Sequence, residues 1–130
     1  MIVPIRTESD IVEARLQGRA LAEAVGITGT DLTLIATAIS EVARNILAYA
    51  RHGEVLIEEA VDGARRGVRI VARDAGPGIE DVDRALEDGY TTGGGLGLGL
   101  PGARRLMDDF DLVSAPGAGT TVSMVKWAQR

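Results

Sequence analysis

The chain has 130 residues, of which 45% are hydrophobic and 25% charged, and it contains no cysteine. This length suits one domain over residues 1–130, and the composition is that of an ordinary globular protein. Without cysteine, disulfides, thiolate nucleophiles and cysteine-based metal sites are excluded. A net charge of −5 argues against nucleic acid as a partner. No apolar run reaches the roughly 20 residues needed to cross a bilayer and no signal peptide is evident, so we expect a cytoplasmic protein without membrane attachment.

The first half of the chain predicts one strand and two helices. Residues 2–6 have the pattern of a short strand, and residues 7–10 supply capping side chains for an amphipathic helix that ends near Val25. A second helix is predicted over roughly residues 30–50. Its apolar side chains recur at spacings of three and four residues, which is typical of a helix packed on a core. They are Leu32, Ile35, Ile39, Val42, Ile46 and Tyr49.

The second half predicts four strands and one further helix. The strands are expected over residues 54–61, 67–73, 111–115 and 120–127. Between the second and third of these lie a short helical stretch to about residue 87, a Gly/Thr-rich loop over 88–98 and a helix over about 99–107. Strands grouped in this way with helices predict an α+β fold, a two-layer α/β sandwich with helices on one face of a mixed sheet.

The second helix carries two polar side chains suited to chemistry. Glu41 and Asn45 are four residues apart and therefore project from one side of the helix, about 40° from each other around its axis. They lie at the margin between core and surface, where the wall of a pocket is expected. A carboxylate can act as a general base, and an amide oxygen can ligate magnesium. The alternative is an ordinary solvated flank on which Glu41 pairs with Arg44.

The segment from Asp74 to Ile79 reads Asp-Ala-Gly-Pro-Gly-Ile and follows a predicted buried strand. An aspartate at a strand end can accept a hydrogen bond from the amino group of a base, and glycines let the backbone approach a ligand closely. A tight turn would use the same residue types. Both interpretations remain open from this segment alone.

Residues 91–102 form a glycine-rich stretch that leads into the last helix. Such a loop offers backbone N–H groups and a helix N-terminus to phosphates. A linker would also be glycine-rich, but leucine at alternate positions favours a lid over a ligand. Gly97, Gly99 and Gly102 match the dinucleotide-binding spacing, yet they come late in the chain and no acidic residue follows Asp111, so we reject that interpretation. A Walker Gly-Lys-Ser/Thr sequence is also absent.

Taken in order, these segments resemble the motifs of the GHKL (Bergerat-fold) ATP-binding family, which gyrase, histidine kinases and anti-sigma-factor kinases share. Residues 41–45 resemble its N box, residues 74–79 its first glycine box, residues 93–102 its second, and residues 117–120, Gly-Ala-Gly-Thr, its last. Further segments resemble the switch serine/threonine kinases of the bacterial stressosome, in the anti-sigma-factor-kinase branch. They are residues 38–41, 88–90, 99–102, 105–108 and 126–127. This resemblance covers essentially the whole chain.

The resemblance implies ATP and Mg²⁺ as cofactors and gives three residues of the second helix a role. Glu41 would be the catalytic base that accepts the proton of the attacking serine or threonine hydroxyl. Asn45 would ligate the magnesium ion. Arg44, beside it, would contact a phosphate.

The resemblance also implies a base pocket and a lid over the phosphates. Asp74 would bind the adenine amino group, Gly76, Gly78 and Ile79 would shape the pocket, and Thr120 would support its adenine side. The lid would consist of Thr92, Gly93, Gly94, Gly95, Leu96, Gly97, Leu98 and Gly99.

The function that the resemblance implies is that of a Mg-ATP-dependent protein-serine/threonine kinase. Its substrates would be STAS-domain scaffold or antagonist proteins of the stressosome, and on release it would activate a metal-dependent serine/threonine phosphatase. Three alternatives are an anti-sigma-factor kinase that also holds a sigma factor, an ATP-gated binding module without catalysis, and a domain without a ligand. Glu41 favours catalysis, because a pure binder needs no base. His52, the lone histidine, is expected to be a surface or helix-capping residue, and the oligomeric state is left open.

Overall fold

The computed structural model describes residues 1–79, 86 and 99–129. Within these ranges the elements are β1 (Ile2–Ile5), α1 (Glu8–Ala24), α2 (Thr30–Tyr49), β2 (Gly53–Asp62), β3 (Arg65–Asp74), α3 (Gly99–Leu106), β4 (Asp109–Ser114) and β5 (Thr120–Trp127). The bounds of these elements agree with the predicted ones to within about two residues. Apart from Leu86, the predicted helical stretch to residue 87 and the loop over 88–98 lie outside the described residues.

Helix α1 begins at a hydrogen-bonded cap and packs closely on α2. The Asp10 carboxylate accepts hydrogen bonds from the backbone N–H of Arg6 (2.8 Å) and of Thr7 (3.0 Å). These two bonds, with that of Arg6 contributing most, hold the pKa of Asp10 below its usual range. Farther along α1, a Cβ added to Gly18 would collide with the Ile39 side chain, so the absence of a side chain at Gly18 allows the two helices to approach.

The sheet has the strand order β1-β2-β3-β5-β4, and all four pairings among the described strands are antiparallel. The predicted mixed sheet is therefore wrong for these strands. Both α1 and α2 lie between β1 and β2, so the chain reverses three times and β2 returns antiparallel to β1. Strands β3 and β4 run in the same direction, but β5 lies between them and is antiparallel to both.

The core lies between the helices and one face of the sheet. Five of the six predicted apolar positions of α2 are buried, whereas Tyr49, in the last turn, is 43% exposed. The sheet contributes buried aliphatic side chains at alternate positions. They are Val55, Ile57, Val68, Ile70, Val122 and Met124. Among the helices of the described ranges, none is long and apolar enough to cross a bilayer.

Candidate active site

Glu41 lies on α2 in a more enclosed position than the sequence predicts. Its side chain is only 8% exposed, whereas Arg44 and Asn45 on the same helix are half-buried. Helix α3 packs against α2 and covers this carboxylate. Charged side chains are seldom buried to this degree unless they are paired. The surroundings of Glu41 therefore matter for its role.

The Glu41 carboxylate connects α2 to the first residue of α3. Its Oε2 accepts a hydrogen bond from the backbone N–H of Gly99 over 2.8 Å, at the end of α3 where the helix dipole favours negative charge. Its Oε1 lies 3.8 Å from Nη1 of Arg44. The ion pair that was the alternative interpretation is thus present, but it is not a solvated surface pair. Within the described residues Oε1 accepts no hydrogen bond.

Asp74 ends β3 near the C-terminal end of α2. One of its oxygens, Oδ1, accepts a hydrogen bond from the N–H of Gly76 over 2.9 Å, which closes a tight turn. The turn uses one oxygen, and no hydrogen bond to Oδ2 is found among the described residues, so the turn is compatible with a role of this carboxylate in ligand binding. A Cβ added to Gly53 would come within 2.9 Å of Ile46 and 3.0 Å of Asp74. Asp74 therefore lies next to the turn of α2 that carries Asn45.

The loop after β3 and the loop between β4 and β5 are joined by their backbones. The N–H of Gly117 donates to the carbonyl of Pro77 over 2.7 Å. Gly78 and Gly119 have φ values of 80° and 75°, and a Cβ on either would collide with the backbone of the opposite loop. Only glycine fits both positions, because it alone tolerates this φ and lacks the colliding atom. The glycines of both motifs thus allow the two loops to meet.

Ser114, which the sequence does not single out, connects these loops through its side chain. Its Oγ lies 2.7 Å from the N of Ile79, 2.9 Å from the carbonyl oxygen of Gly119 and 2.8 Å from Oγ1 of Thr120. Thr120 is 6% exposed and is the direct cross-strand partner of both Asp74 and Ser114. A polar residue at a strand end before a turn is too common a pattern to have marked Ser114 from sequence.

The structure assembles the predicted site residues that it describes in two adjoining groups. The first contains Glu41, Arg44 and Asn45 of α2 with Gly99 of α3. The second contains Asp74, Gly76, Gly78, Ile79 and Thr120 at the strand ends. The predicted lid residues Thr92, Gly93, Gly94, Gly95, Leu96, Gly97 and Leu98 lie outside the described residues. His52 is exposed, as expected.

Comparison with known proteins identifies relatives of the whole chain. Residues 4–126 match the family described as the histidine kinase-like ATPase domain. The serine/threonine-protein kinase RsbT of Bacillus subtilis is 50% identical over 125 residues, which cover 96% of this chain and 94% of that protein. The anti-sigma F factor of Oceanobacillus iheyensis is 36% identical and covers 76% of this chain and 71% of its own length. The anti-sigma F factor of Halalkalibacterium halodurans is 33% identical, and the match covers 87% of this chain and 81% of that protein.

Two solved structures share the fold at low sequence identity. The RsbU and RsbW domains of Rv1364c from Mycobacterium tuberculosis align with a TM-score of 0.66 and 20% identity over 100% of this chain and 33% of that one. The mycobacterial sensor histidine kinase MprB aligns with a TM-score of 0.61 and 18% identity over 99% and 97%. These likenesses show the fold, and the family match implies ATP binding. The chain therefore belongs to the histidine kinase-like ATPase family and, within it, to the branch of RsbT-type serine/threonine-protein kinases.

Proposed function

We propose that this chain uses Mg-ATP to phosphorylate a serine or threonine of a STAS-domain scaffold or antagonist protein of the stressosome, and that on release it activates a metal-dependent serine/threonine phosphatase. The observation that carries the kinase proposal is the position of Glu41. Its carboxylate is buried, fixed to the first residue of α3 and one helical turn from Asn45. A domain that only binds ATP requires no carboxylate of this kind.

Glu41 would act as the general base through Oε1. Because Oε2 accepts the hydrogen bond of Gly99, the carboxylate is held in place and Oε1 is left to take the proton of the substrate hydroxyl. The hydroxyl oxygen then bonds to the γ-phosphorus. The bond from that phosphorus to the β–γ bridging oxygen breaks, and ADP leaves with its electron pair. Arg44, 3.8 Å from Oε1, would neutralise charge on the phosphates.

Asn45 would hold the magnesium ion. Within the described ranges no three His, Asp or Glu side chains are grouped so that they could bind a metal. Mg²⁺ bound with a nucleotide needs no such group, because phosphate oxygens and water supply most of its ligands. A single amide oxygen on the helix that carries the base fits this requirement. The bound ion supplies charge neutralisation at the β- and γ-phosphates.

Asp74 and Thr120 would bind the adenine, in a pocket shaped by Gly76, Gly78 and Ile79. Oδ2 of Asp74, for which the described part of the chain provides no hydrogen bond, would accept one from the adenine amino group. The direct pairing of Asp74 with Thr120 across β3 and β5 supports a shared role in this pocket. The segment from Thr92 to Leu98, together with Gly99, would cover the phosphates.

The test is transfer of labelled γ-phosphate from Mg-ATP to a purified STAS-domain partner, with ATP affinity measured in parallel. Glu41→Gln keeps an acceptor for the Gly99 amide but removes the base, so we expect transfer to fall about 10²- to 10⁴-fold while ATP still binds. Glu13→Gln, on the exposed face of α1, is the matched control and should transfer normally. Undiminished transfer by Glu41→Gln would refute the role of the base. A wild type that binds ATP and labels no partner would instead be an ATP-gated binding module.

Similarity to the anti-sigma F factors favours a second candidate, a kinase that also retains a sigma factor. The higher identity to RsbT is the reason to rank it second. Capture of purified sigma factors on the immobilised chain, with and without Mg-ATP, separates the two. Stable retention of one sigma factor would replace the stressosome assignment and leave the kinase chemistry unchanged.

A further inference from the structure

The Ser114 hydroxyl makes three contacts that together require three protons. Its Oγ lies 2.7 Å from the N of Ile79, 2.9 Å from the carbonyl oxygen of Gly119 and 2.8 Å from Oγ1 of Thr120. A serine hydroxyl has one proton and two lone pairs. The amide of Ile79 supplies its own proton, whereas the carbonyl of Gly119 has none.

These facts fix the direction of each hydrogen bond. The Gly119 carbonyl can only accept, so the proton of Ser114 must lie in that contact. The contact between Ser114 and Thr120 must then contain the proton of Thr120. Any other arrangement leaves two oxygens within 2.9 Å of each other without a hydrogen between them. The only proton of the Thr120 hydroxyl is therefore committed to Ser114, and its remaining lone pairs can only accept.

Asp74, the second polar residue of the proposed base pocket, also acts only as a hydrogen-bond acceptor. Asp74 pairs directly with Thr120 across the two strands, and an ionised carboxylate can only accept hydrogen bonds. Adenine presents an amino donor at its six position, whereas guanine and hypoxanthine present a carbonyl acceptor there. A water between Asp74 and Thr120 would donate a proton to each and would still face the base as an acceptor. The pocket is thus complementary to a six-amino purine in either case.

We propose that Ser114 is a positioning residue that sets the hydrogen-bonding polarity of the base pocket, so that the site accepts six-amino purines and rejects six-oxo purines. Ser114 acts through Thr120 and does not itself touch the nucleotide. The inference rests on the proposed binding of the adenine by Asp74 and Thr120. It does not depend on phosphoryl transfer, so nucleotide affinity tests it separately from the kinase reaction.

ATP and ITP are suitable probes, because ITP carries a carbonyl where ATP carries the amino group. We expect the wild type to prefer ATP. Ser114→Ala should lower the ratio of the ITP to the ATP dissociation constant about fivefold, because the released Thr120 hydroxyl can turn and donate to the carbonyl. Ser114→Thr keeps the hydroxyl and should restore the wild-type ratio. The matched control is Ser123→Ala, a half-buried serine on β5 opposite Asp111, which should not change the ratio.

A second variant keeps the proposal testable if Ser114→Ala does not fold. Thr120→Val leaves the other contacts of Ser114 in place and removes the acceptor. This variant should lower the affinity for ATP about fivefold, whereas its affinity for ITP should be unchanged or higher. Ser114→Ala added to this background should not change the ratio further, because its effect acts through the missing hydroxyl.

Three results would overturn the proposal: equal losses of ATP and ITP affinity in Ser114→Ala, weaker ITP binding in Thr120→Val, or a wild-type ratio near one. The first would mean that Ser114 only holds the loops together. The expected change of the ratio in Ser114→Ala, found in a protein that phosphorylates no partner, would support the role of Ser114 and refute the proposed kinase function.

Discussion

The Glu41 carboxylate accepts a hydrogen bond from the backbone amide of Gly99, with 2.8 Å between Oε2 and N. These two residues are 58 positions apart, and the bond links the helix of the proposed base to the first turn of the helix that follows the glycine-rich loop. The position of the base and the start of α3 are therefore coupled. A displacement of Gly99 would also release the carboxylate.

Truncation of Glu41 should loosen α3. Glu41→Ala removes both the acceptor for Gly99 and the negative charge at the helix N-terminus, so we expect the free energy of unfolding to fall by about 1–2 kcal/mol. Glu41→Gln keeps an acceptor oxygen and should cost less. Urea unfolding and hydrogen exchange at the Gly99 amide measure these effects. Equal exchange rates in the two variants would contradict the proposed contact.

Asn45→Ala should weaken nucleotide binding only when magnesium is present. Loss of the amide ligand is expected to reduce Mg-ATP affinity about tenfold, whereas removal of magnesium with EDTA should make the variant and the wild type equal. Titration calorimetry in the two buffers provides the comparison. Asn45→Asp keeps an oxygen ligand and is the control. A loss of the same size in EDTA would show that Asn45 contacts the nucleotide itself.

Arg51 is the one non-glycine residue with positive φ in the described ranges, at 72°, immediately after the last turn of α2. This conformation costs a residue with a Cβ about 1–2 kcal/mol, and glycine avoids the cost but loses more freedom on folding. We expect Arg51→Gly to raise the free energy of unfolding by a net ~0.5–1 kcal/mol. Arg51→Ala removes the same charge but keeps the Cβ, so it should give no such gain. Equal stabilisation by both would assign the effect to the charge.

Lys126, the only lysine of the chain, holds the far end of α3. Its side chain is 12% exposed, and its Nζ donates to the carbonyl of Leu106 over 3.1 Å and lies 3.9 Å from Asp31 and 3.6 Å from Asp108. Lys126→Met leaves these acceptors without their cation and should lower the free energy of unfolding by about 2 kcal/mol. The control is Arg69→Met, which breaks an exposed pair and should cost less than about 1 kcal/mol. Thermal unfolding of the two variants compares them.

Much of this fold follows from local patterns in the sequence. The spacing of Leu32, Ile35 and Ile39 predicts the buried face of α2, and capping residues predict where α1 begins. The pairing of strands could not be read in the same way. That β5 lies between β3 and β4 depends on contacts between distant parts of the chain, and no single segment encodes them.

The site shows the same division between local and distant information. The order of the motifs predicts Glu41, Asn45 and Asp74 as site residues, because acidic residues, asparagine and glycine occur there in a distinctive sequence. The burial of Glu41 depends on how α3 packs, which its own helix does not reveal. The role of Ser114 depends on hydrogen bonds with residues of two other segments, Ile79 in one and Gly119 and Thr120 in the other, so its own segment does not reveal it.

The central place of β5 has a consequence for how the protein folds. Among the strands that the structure describes, β4 is attached to the sheet only through β5, and β3 lacks a neighbour on that side until β5 pairs with it. Pairing β3 with β5 closes a loop of more than forty residues, so this step is entropically costly and is expected to come late. The proposed base pocket lies on those same strands, and a chain interrupted before residue 120 would lack Thr120, one of the two polar residues proposed to bind adenine. If adenine binds in this proposed pocket, nucleotide binding requires completed folding, and ATP would stabilise only fully folded chains.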